Sequence, residues 1–242
     1  MLILAPSEPT FYTLQGEGKY IGYPSVFIRL SRCNLRCMWQ NANGTFTKCD
    51  TPHTSFEPEI DEVKISKLVE TICNYDTEHI VISGGEPFFQ KKVTILIHEL
   101  VKYGKFVTVE TNGTIYHENE AQFISLSPKL STSSGHPTYG KMHDLHRINY
   151  SALSNFITKS KDFQFKFVVN TEDDIKEILE IKRVLFERTT IDINDYIWLM
   201  PQGIAEYQFD GRLKWLAEIC KQYKWKLTDR FHIRLFGSGV GV

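Results

Sequence analysis

The sequence predicts an α/β chain with about six parallel strands, closed as a partial (β/α) barrel or laid out as a doubly wound sheet. Two observations carry that expectation. Short apolar strands alternate with amphipathic helices, and the motifs rich in Cys, Gly and Glu fall just after strands. Such alternation favours parallel pairing with right-handed crossovers. Both arrangements hold ligands at the carboxyl ends of their strands. A length of 242 residues suits one domain over 1–242.

Taken in order, 25–31 (SVFIRLS) reads as a strand, and 60–74 as a helix with Ile60, Val63, Leu68 and Ile72 near one face. A buried strand at 79–83 runs into Gly84-Gly85, and helix 92–103 stops at Gly104. Strands 106–110 and 123–127 follow. The stretch 130–147 is polar and aperiodic and reads as a long loop, a type that is often functional. Strand 164–169, helix 173–187, strand 196–200, helix 210–223 and an extended stretch 231–236 complete the pattern. No internal repeat or low-complexity tract interrupts it.

Composition excludes several classes. With 42% hydrophobic and 24% charged residues the chain has material for a full core. A net charge of −1 gives no long-range attraction to nucleic acid or to an anionic membrane. The first residues lack the basic lead-in of a signal peptide, and no run approaches ~18 apolar residues, so a cytoplasmic protein is expected. Of five cysteines, three crowd into 33–49, while Cys73 and Cys220 sit alone in helical patterns. Clustered thiols in such a chain point to metal rather than disulfides.

The cluster reads Cys33-Asn-Leu-Arg-Cys37-Met-Trp39, then Gln40 to Lys48, then Cys49-Asp50-Thr51. Three thiolates serve three irons of a cubane and leave the fourth for an exogenous ligand. A structural zinc site needs a fourth protein ligand. His53, at Cys-x3-His spacing from Cys49, could supply it, and three unrelated buried thiols are a third possibility. Downstream, Ser83-Gly84-Gly85-Glu86-Pro87 closes a strand with glycines that let backbone approach a ligand. Arg29 inside an apolar strand is costly unless paired. It suits a carboxylate clamp or a core salt bridge.

These motifs resemble the 7-carboxy-7-deazaguanine synthase family of the radical S-adenosylmethionine superfamily. FYTLQGEG (11–18), FIRL (27–30), CNLRCMW (33–39), CDTPHT (49–54), SGGEP (83–87), ETNGT (110–114), SPK (127–129), KFVV (166–169) and LMP (199–201) occur in the family's order, over nearly the whole chain. One departure stands out: the family's CxxxCxWCDT is split here by nine residues, 40–48, giving Cys-x3-Cys-x11-Cys. Such an insertion costs little loop entropy, roughly 0.6 kcal/mol per doubling of length.

The resemblance implies a radical S-adenosylmethionine partial barrel holding a 4Fe–4S cluster on Cys33, Cys37 and Cys49 and Mg²⁺ at Thr51. It implies conversion of 6-carboxy-5,6,7,8-tetrahydropterin to 7-carboxy-7-deazaguanine and ammonia. It places S-adenosylmethionine against Met38, Trp39, Lys48, Gly84, Gly85, Glu86, Asn112, Ser127, Pro128, Lys129, Met200, Pro201, Gln202 and Gly203. The substrate would meet Leu14, Gln15, Gly16, Glu17, Arg29, Ser83, Glu110, His232 and the terminal Val242. It also implies a homodimer and a reductant such as flavodoxin or ferredoxin. Bland roles stand beside these: a surface turn for Gly16-Glu17-Gly18, a cap for Thr51, a tight turn for Glu110–Gly113 and core packing for His232. The other functional readings are a different radical enzyme, such as a glycyl-radical activase, and a zinc-stabilised binding module.

Overall fold

A computed structural model describes residues 1–7, 9–41 and 43–237. The strands are β1 (Leu2–Leu4), β2 (Thr10–Leu14), β3 (Pro24–Leu30), β4 (Met38–Gln40), β5 (Phe46–Lys48), β6 (Asp61–Val63), β7 (His79–Gly84), β8 (Phe106–Thr111), β9 (Phe123–Leu126), β10 (Phe163–Val169), β11 (Ile197–Pro201) and β12 (Lys226–Leu227). The helices are α1 (Pro52–Ser55), α2 (Ile65–Cys73), α3 (Val93–Lys102), α4 (Gly140–His146), α5 (Tyr150–Lys159), α6 (Glu172–Thr189), α7 (Asp210–Tyr223) and α8 (Phe231–Phe236).

Six strands, β3, β7, β8, β9, β10 and β11, run parallel in that order, and the short β12 extends them. The expected partial barrel of about six parallel strands is therefore the architecture. On the far side of β3 the sheet turns antiparallel, with β1 and β2 pairing β3 and β6 pairing β1.

Alternation within each strand sorts the side chains between two faces. In β3, Val26, Ile28 and Leu30 join the core, while Phe27 and Arg29 line an inner cavity. In β10 the same pleat sends Phe163, Phe165, Phe167 and Val169 into the core and Lys166 and Val168 into the cavity. The core also gathers Leu68, Ile72, Leu96, Leu100, Phe156, Ile178, Leu185 and Leu216 from the outer helices. Each fully buried side chain of this kind contributes about 1.5–3 kcal/mol.

The inner face is polar, and its lower layer is closed by hydrogen bonds. His79 at the start of β7 bridges its neighbours, with Nδ1 2.8 Å from Ser25 Oγ on β3 and Nε2 2.8 Å from Thr108 Oγ1 on β8. Gln164 on β10 donates to Ser125 Oγ on β9 at 2.8 Å and accepts from the Lys19 backbone at 2.8 Å. Tyr20 plugs this floor, its ring 4.9 Å from Phe123, 5.2 Å from His79 and 5.3 Å from Phe106.

Several boundaries differ from expectation. Helix α2 begins at Ile65, because 61–63 is drawn into the sheet by pairing with β1, and Ile60 lies exposed. The loop expected over 130–147 contains α4, a polar helix without an apolar stripe. Its His143 bonds to Ser133 and to the Arg36 backbone, so tertiary contacts rather than periodicity hold it. Helix α5, unassigned in the sequence, is capped by Asn149, which accepts from the backbone of Ser151 and Ala152 at 3.1 Å. The stretch 231–236 is helical, not extended: Asp229 accepts from the Arg230 backbone at 2.7 Å and from Arg234 Nε at 3.0 Å, turning the chain.

Burial lowers the His79 pKa to about 4, so the folded protein holds this ring neutral while the unfolded chain protonates it near 6.5. Its stabilising contribution is complete above pH 6.5 and is lost as pH falls toward 4. His79→Gln should flatten the pH dependence of the melting temperature within that window while lowering the melting temperature at pH 7. An unchanged slope between pH 6.5 and 4 would show that His79 does not carry it.

Candidate active site

The cysteine loop leaves β3 through Arg32, which adopts φ 71°, and places Cys33 beside the end of β7. Gly84 and Gly85 make this approach possible. A Cβ on Gly84 would overlap the Leu30 carbonyl and one on Gly85 the Arg32 carbonyl. In their place, Gly85 donates its backbone N–H to Leu30 at 2.9 Å and Glu86 donates its own to Arg32 at 2.9 Å. The glycines border the cavity as expected, yet the contact that demands them is with the end of β3 and the turn leading into Cys33.

Residues 38–40 and 46–48, on either side of the middle of the expected insertion, pair as a β-hairpin. Met38 pairs Lys48, Trp39 pairs Thr47 and Gln40 pairs Phe46, closed by Asn41 donating to the Thr45 carbonyl at 2.8 Å. The ladder continues one step below, where the Cys49 N–H donates to the Cys37 carbonyl at 3.2 Å. A hairpin returns the chain to its starting point, so Cys49 lies adjacent to Cys37. All three thiols pack in one group with Leu35, Trp39 and Val168.

Burial pushes Cys33 up to about 12 and also raises Cys37 and Cys49, so without metal these thiols are protonated. The nearby Lys129 cation opposes that rise at each of them. Metal loading would therefore release protons. Among the described residues no three His, Cys, Asp or Glu side chains are grouped for a single metal ion. A cubane instead takes each thiolate at a separate iron. Trp39 Nε1 and His53 Nε2, on two residues lining the same cavity, are buried and have no hydrogen-bond partner among the described residues. Three convergent thiols and two unpaired polar atoms fit a cluster with a polar organic ligand.

The cavity has a volume of ≈ 610 Å³. Of the expected residues, Leu14, Gln15, Gly16, Glu17, Arg29, Trp39, Lys48, Thr51, Ser83, Gly84, Gly85, Glu110, Asn112, Ser127, Lys129, Met200, Gln202, Gly203 and His232 line it with the three cysteines. Glu110 holds one end: Ser83 Oγ donates to it at 2.7 Å and Gln15 Nε2 at 3.1 Å. Arg29 lies with its guanidinium 5.1 Å from the centre of the Phe11 ring, which itself stacks on Phe27. Asn112 donates to Asn34 in the cysteine loop at 2.9 Å, and Lys129 donates to Ser127 Oγ at 2.7 Å.

Met38, Glu86, Pro128 and Pro201 are not among the lining residues, and Val242 lies outside the described ones. Met38 is buried, its carbonyl accepting from the Gly135 N–H at 2.8 Å. Glu86 is a fully buried clasp between strand ends, accepting from Thr111 Oγ1 and the Asn112 N–H at 2.7 Å each and from Phe88 N–H at 3.0 Å. Burial raises it to about 7 against those three bonds.

Three charged residues were not foreseen: Asp50, Lys166 and Arg230. Glu17 pairs with Lys166 and with Arg230, whose Nε lies 3.1 Å from it, and Arg230 also pairs with Asp50. Burial alone would raise the Glu17 carboxyl, but the two cations hold it well below the usual carboxylate range. Lys166 was detectable as a charged residue alternating with aromatics in FQFKFVV. Arg230 had no such signal.

Replacing 41–45 with Asn-Gly would keep the Gln40–Phe46 register under a two-residue turn. Anaerobically reconstituted protein should then bind as much iron per chain as the parent. Loss of more than half the iron would contradict the hairpin's role as a neutral return of the chain.

Comparison with known proteins points one way. A 7-carboxy-7-deazaguanine synthase from Rhodopirellula baltica is 37% identical over 237 residues, covering 96% of this chain and 87% of that protein. One from Halobacterium salinarum is 34% identical over 243 residues, covering 96% and 91%. The crystal structure of QueE from Escherichia coli superposes with a TM-score of 0.69 at 26% identity, covering 96% of this chain and 94% of that one. No protein-family model matches the sequence.

Proposed function

This chain belongs to the 7-carboxy-7-deazaguanine synthase family, and from that premise we propose how its cavity works. The enzyme is a radical S-adenosylmethionine lyase of deazapurine biosynthesis, taking 6-carboxy-5,6,7,8-tetrahydropterin to 7-carboxy-7-deazaguanine with loss of ammonia. The observation that carries this reading is the meeting of Cys33, Cys37 and Cys49 with the 14–17 segment, Arg29 and Glu110 in one cavity. The relatives' shared name leaves no support for a glycyl-radical activase or a zinc module.

When bound, a 4Fe–4S cluster and S-adenosylmethionine supply the one-electron cleavage that initiates radical chemistry. Cys33, Cys37 and Cys49 would hold the cluster and leave one iron to the amino and carboxylate groups of S-adenosylmethionine. Trp39, Lys48, Gly84, Gly85, Asn112, Ser127, Lys129, Met200, Gln202 and Gly203 line the cavity and would surround that cofactor, the indole N–H of Trp39 having no partner among the described residues.

Five basic side chains (Arg29, Lys48, Lys129, Lys166, Arg230) face three acidic ones (Glu17, Asp50, Glu110) in the cavity lining. That excess suits two carboxylated ligands. Arg29, steadied by Phe11, presents a planar fork to the substrate carboxylate. Glu17, kept ionised, and Glu110, fixed by Ser83 and Gln15, offer acceptors to the N–H edge of the pterin. Leu14, Gly16 and His232 complete that end. Thr51 would give its hydroxyl to Mg²⁺ beside substrate oxygens. The buried walls restrict water and so protect the reacting groups.

By family analogy we propose a single cytoplasmic domain in a homodimer, reduced by flavodoxin or ferredoxin, with no nucleic-acid or membrane partner. No described helix is long and apolar enough to cross a membrane.

Anaerobic turnover of the carboxytetrahydropterin with S-adenosylmethionine and dithionite tests the reading, which fails if no deazaguanine product forms in protein that carries its iron. Cys33→Ala, Cys37→Ala and Cys49→Ala should each remove iron binding and all turnover, whereas Cys73→Ala and Cys220→Ala should keep both. Iron retained in any of the first three, measured colorimetrically per chain, would reassign the ligands. Thr51→Ala should weaken the stimulation of turnover by Mg²⁺, and an unaltered Mg²⁺ titration would take that role from Thr51.

A further inference from the structure

Arg230 is joined to three separate loops of the cavity. Its Nε donates to Glu17 at 3.1 Å, a terminal nitrogen pairs with Asp50, and the other donates to the Gly203 carbonyl. The side chain is only 7% exposed. Each contact lies in a different functional stretch. Glu17 closes the 14–17 segment, whose Gln15 reaches Glu110. Asp50 stands between Cys49 and Thr51, and Gly203 ends the strand-loop that begins at Met200. One rigid guanidinium therefore fixes the separation of the pterin side and the cluster side.

We propose that Arg230 is a positioning residue that couples substrate binding to cofactor binding, by holding the Glu17 segment and the Asp50 loop in register. This assignment rests on the reading of the cavity as a pterin and S-adenosylmethionine site. A ligand seated against Glu17 draws on a carboxylate that Arg230 also orients, and the same guanidinium orients the loop carrying Cys49. Binding at either end then favours the arrangement the other end needs. Such coupling is reciprocal between the two ligands. Lysine cannot replace this role, because a single ammonium lacks the fixed fork that spans two carboxylates and a carbonyl.

The network is built so that Arg230 can be removed without stripping Glu17 of charge, since Lys166 also pairs with it. Asp50, 49% exposed, can be solvated when its partner is gone. Coupling can therefore be measured in Arg230→Gln, and independently in Asp50→Asn, should the first variant fold poorly.

The experiment uses cluster-loaded protein without reductant, so that no turnover occurs. Equilibrium dialysis gives the Kd of S-adenosylmethionine with and without saturating 6-carboxy-5,6,7,8-tetrahydropterin. In the parent protein the pterin should tighten the cofactor about fivefold or more. In Arg230→Gln and Asp50→Asn, at equal iron content, most of that tightening should vanish, and Arg230→Lys should not restore it. Equal tightening in parent and variants, or none in the parent, would overturn the proposal. Direct dialysis of the pterin separates this outcome from a wrong function: a parent protein that binds no pterin refutes the functional reading itself.

Discussion

The two-residue period of the β-strand governs this molecule. It forces every central strand to choose one face for apolar side chains and the other for whatever must meet the interior. Here the outer face is aliphatic and aromatic, and the inner face carries Ser25, Arg29, Ser83, Glu110, Ser125 and Lys166. A polar interior is costly unless each group finds a partner. The lower layer solves this internally, through the Ser25–His79–Thr108 and Ser125–Gln164 bridges under the Tyr20 plug. The upper layer is left open: Glu110 is held by Ser83 on the next strand and by Gln15, and Lys166, Glu17, Asp50 and Arg230 pair through the loops. Function sits where internal satisfaction stops.

The cysteine loop depends on two backbone approaches that no side chain could make. The paired glycines after β7 let the end of β3 lie against them, which fixes where Cys33 leaves the sheet. The hairpin ladder then carries the chain out through Trp39 and back to Cys49 without altering the Cys37–Cys49 contact. The hairpin also places Phe46, Thr47 and Lys48 in the cavity wall.

Electrostatics divide the cavity into two regimes. Around the cysteines, burial dominates and keeps the thiols neutral, so that metal loading would have to displace their protons. Around Glu17, opposite charges outweigh burial, so a carboxylate stays ionised in a confined space. Arg230 belongs to both regions, through Asp50 toward Cys49 and through Glu17 toward Gln15 and Glu110.

Much of this was written in the sequence. The alternating apolar strands from 25–31 to 196–200, the three-cysteine segment and the motifs at strand ends are local patterns, and local patterns report local structure. They determined the parallel sheet, its approximate strand number and the place of the cysteines, while the family resemblance supplied the other expected cavity residues. What they could not determine was anything created by distant segments meeting. The pairing of 61–63 with β1, the helix over 140–146, the burial of Glu86 as a clasp, and the joining of Asp50, Glu17 and Arg230 all require chain closure. A residue's neighbours along the chain fix its face and its propensity. Only the folded sheet decides which charge, separated by some two hundred positions, will stand opposite it.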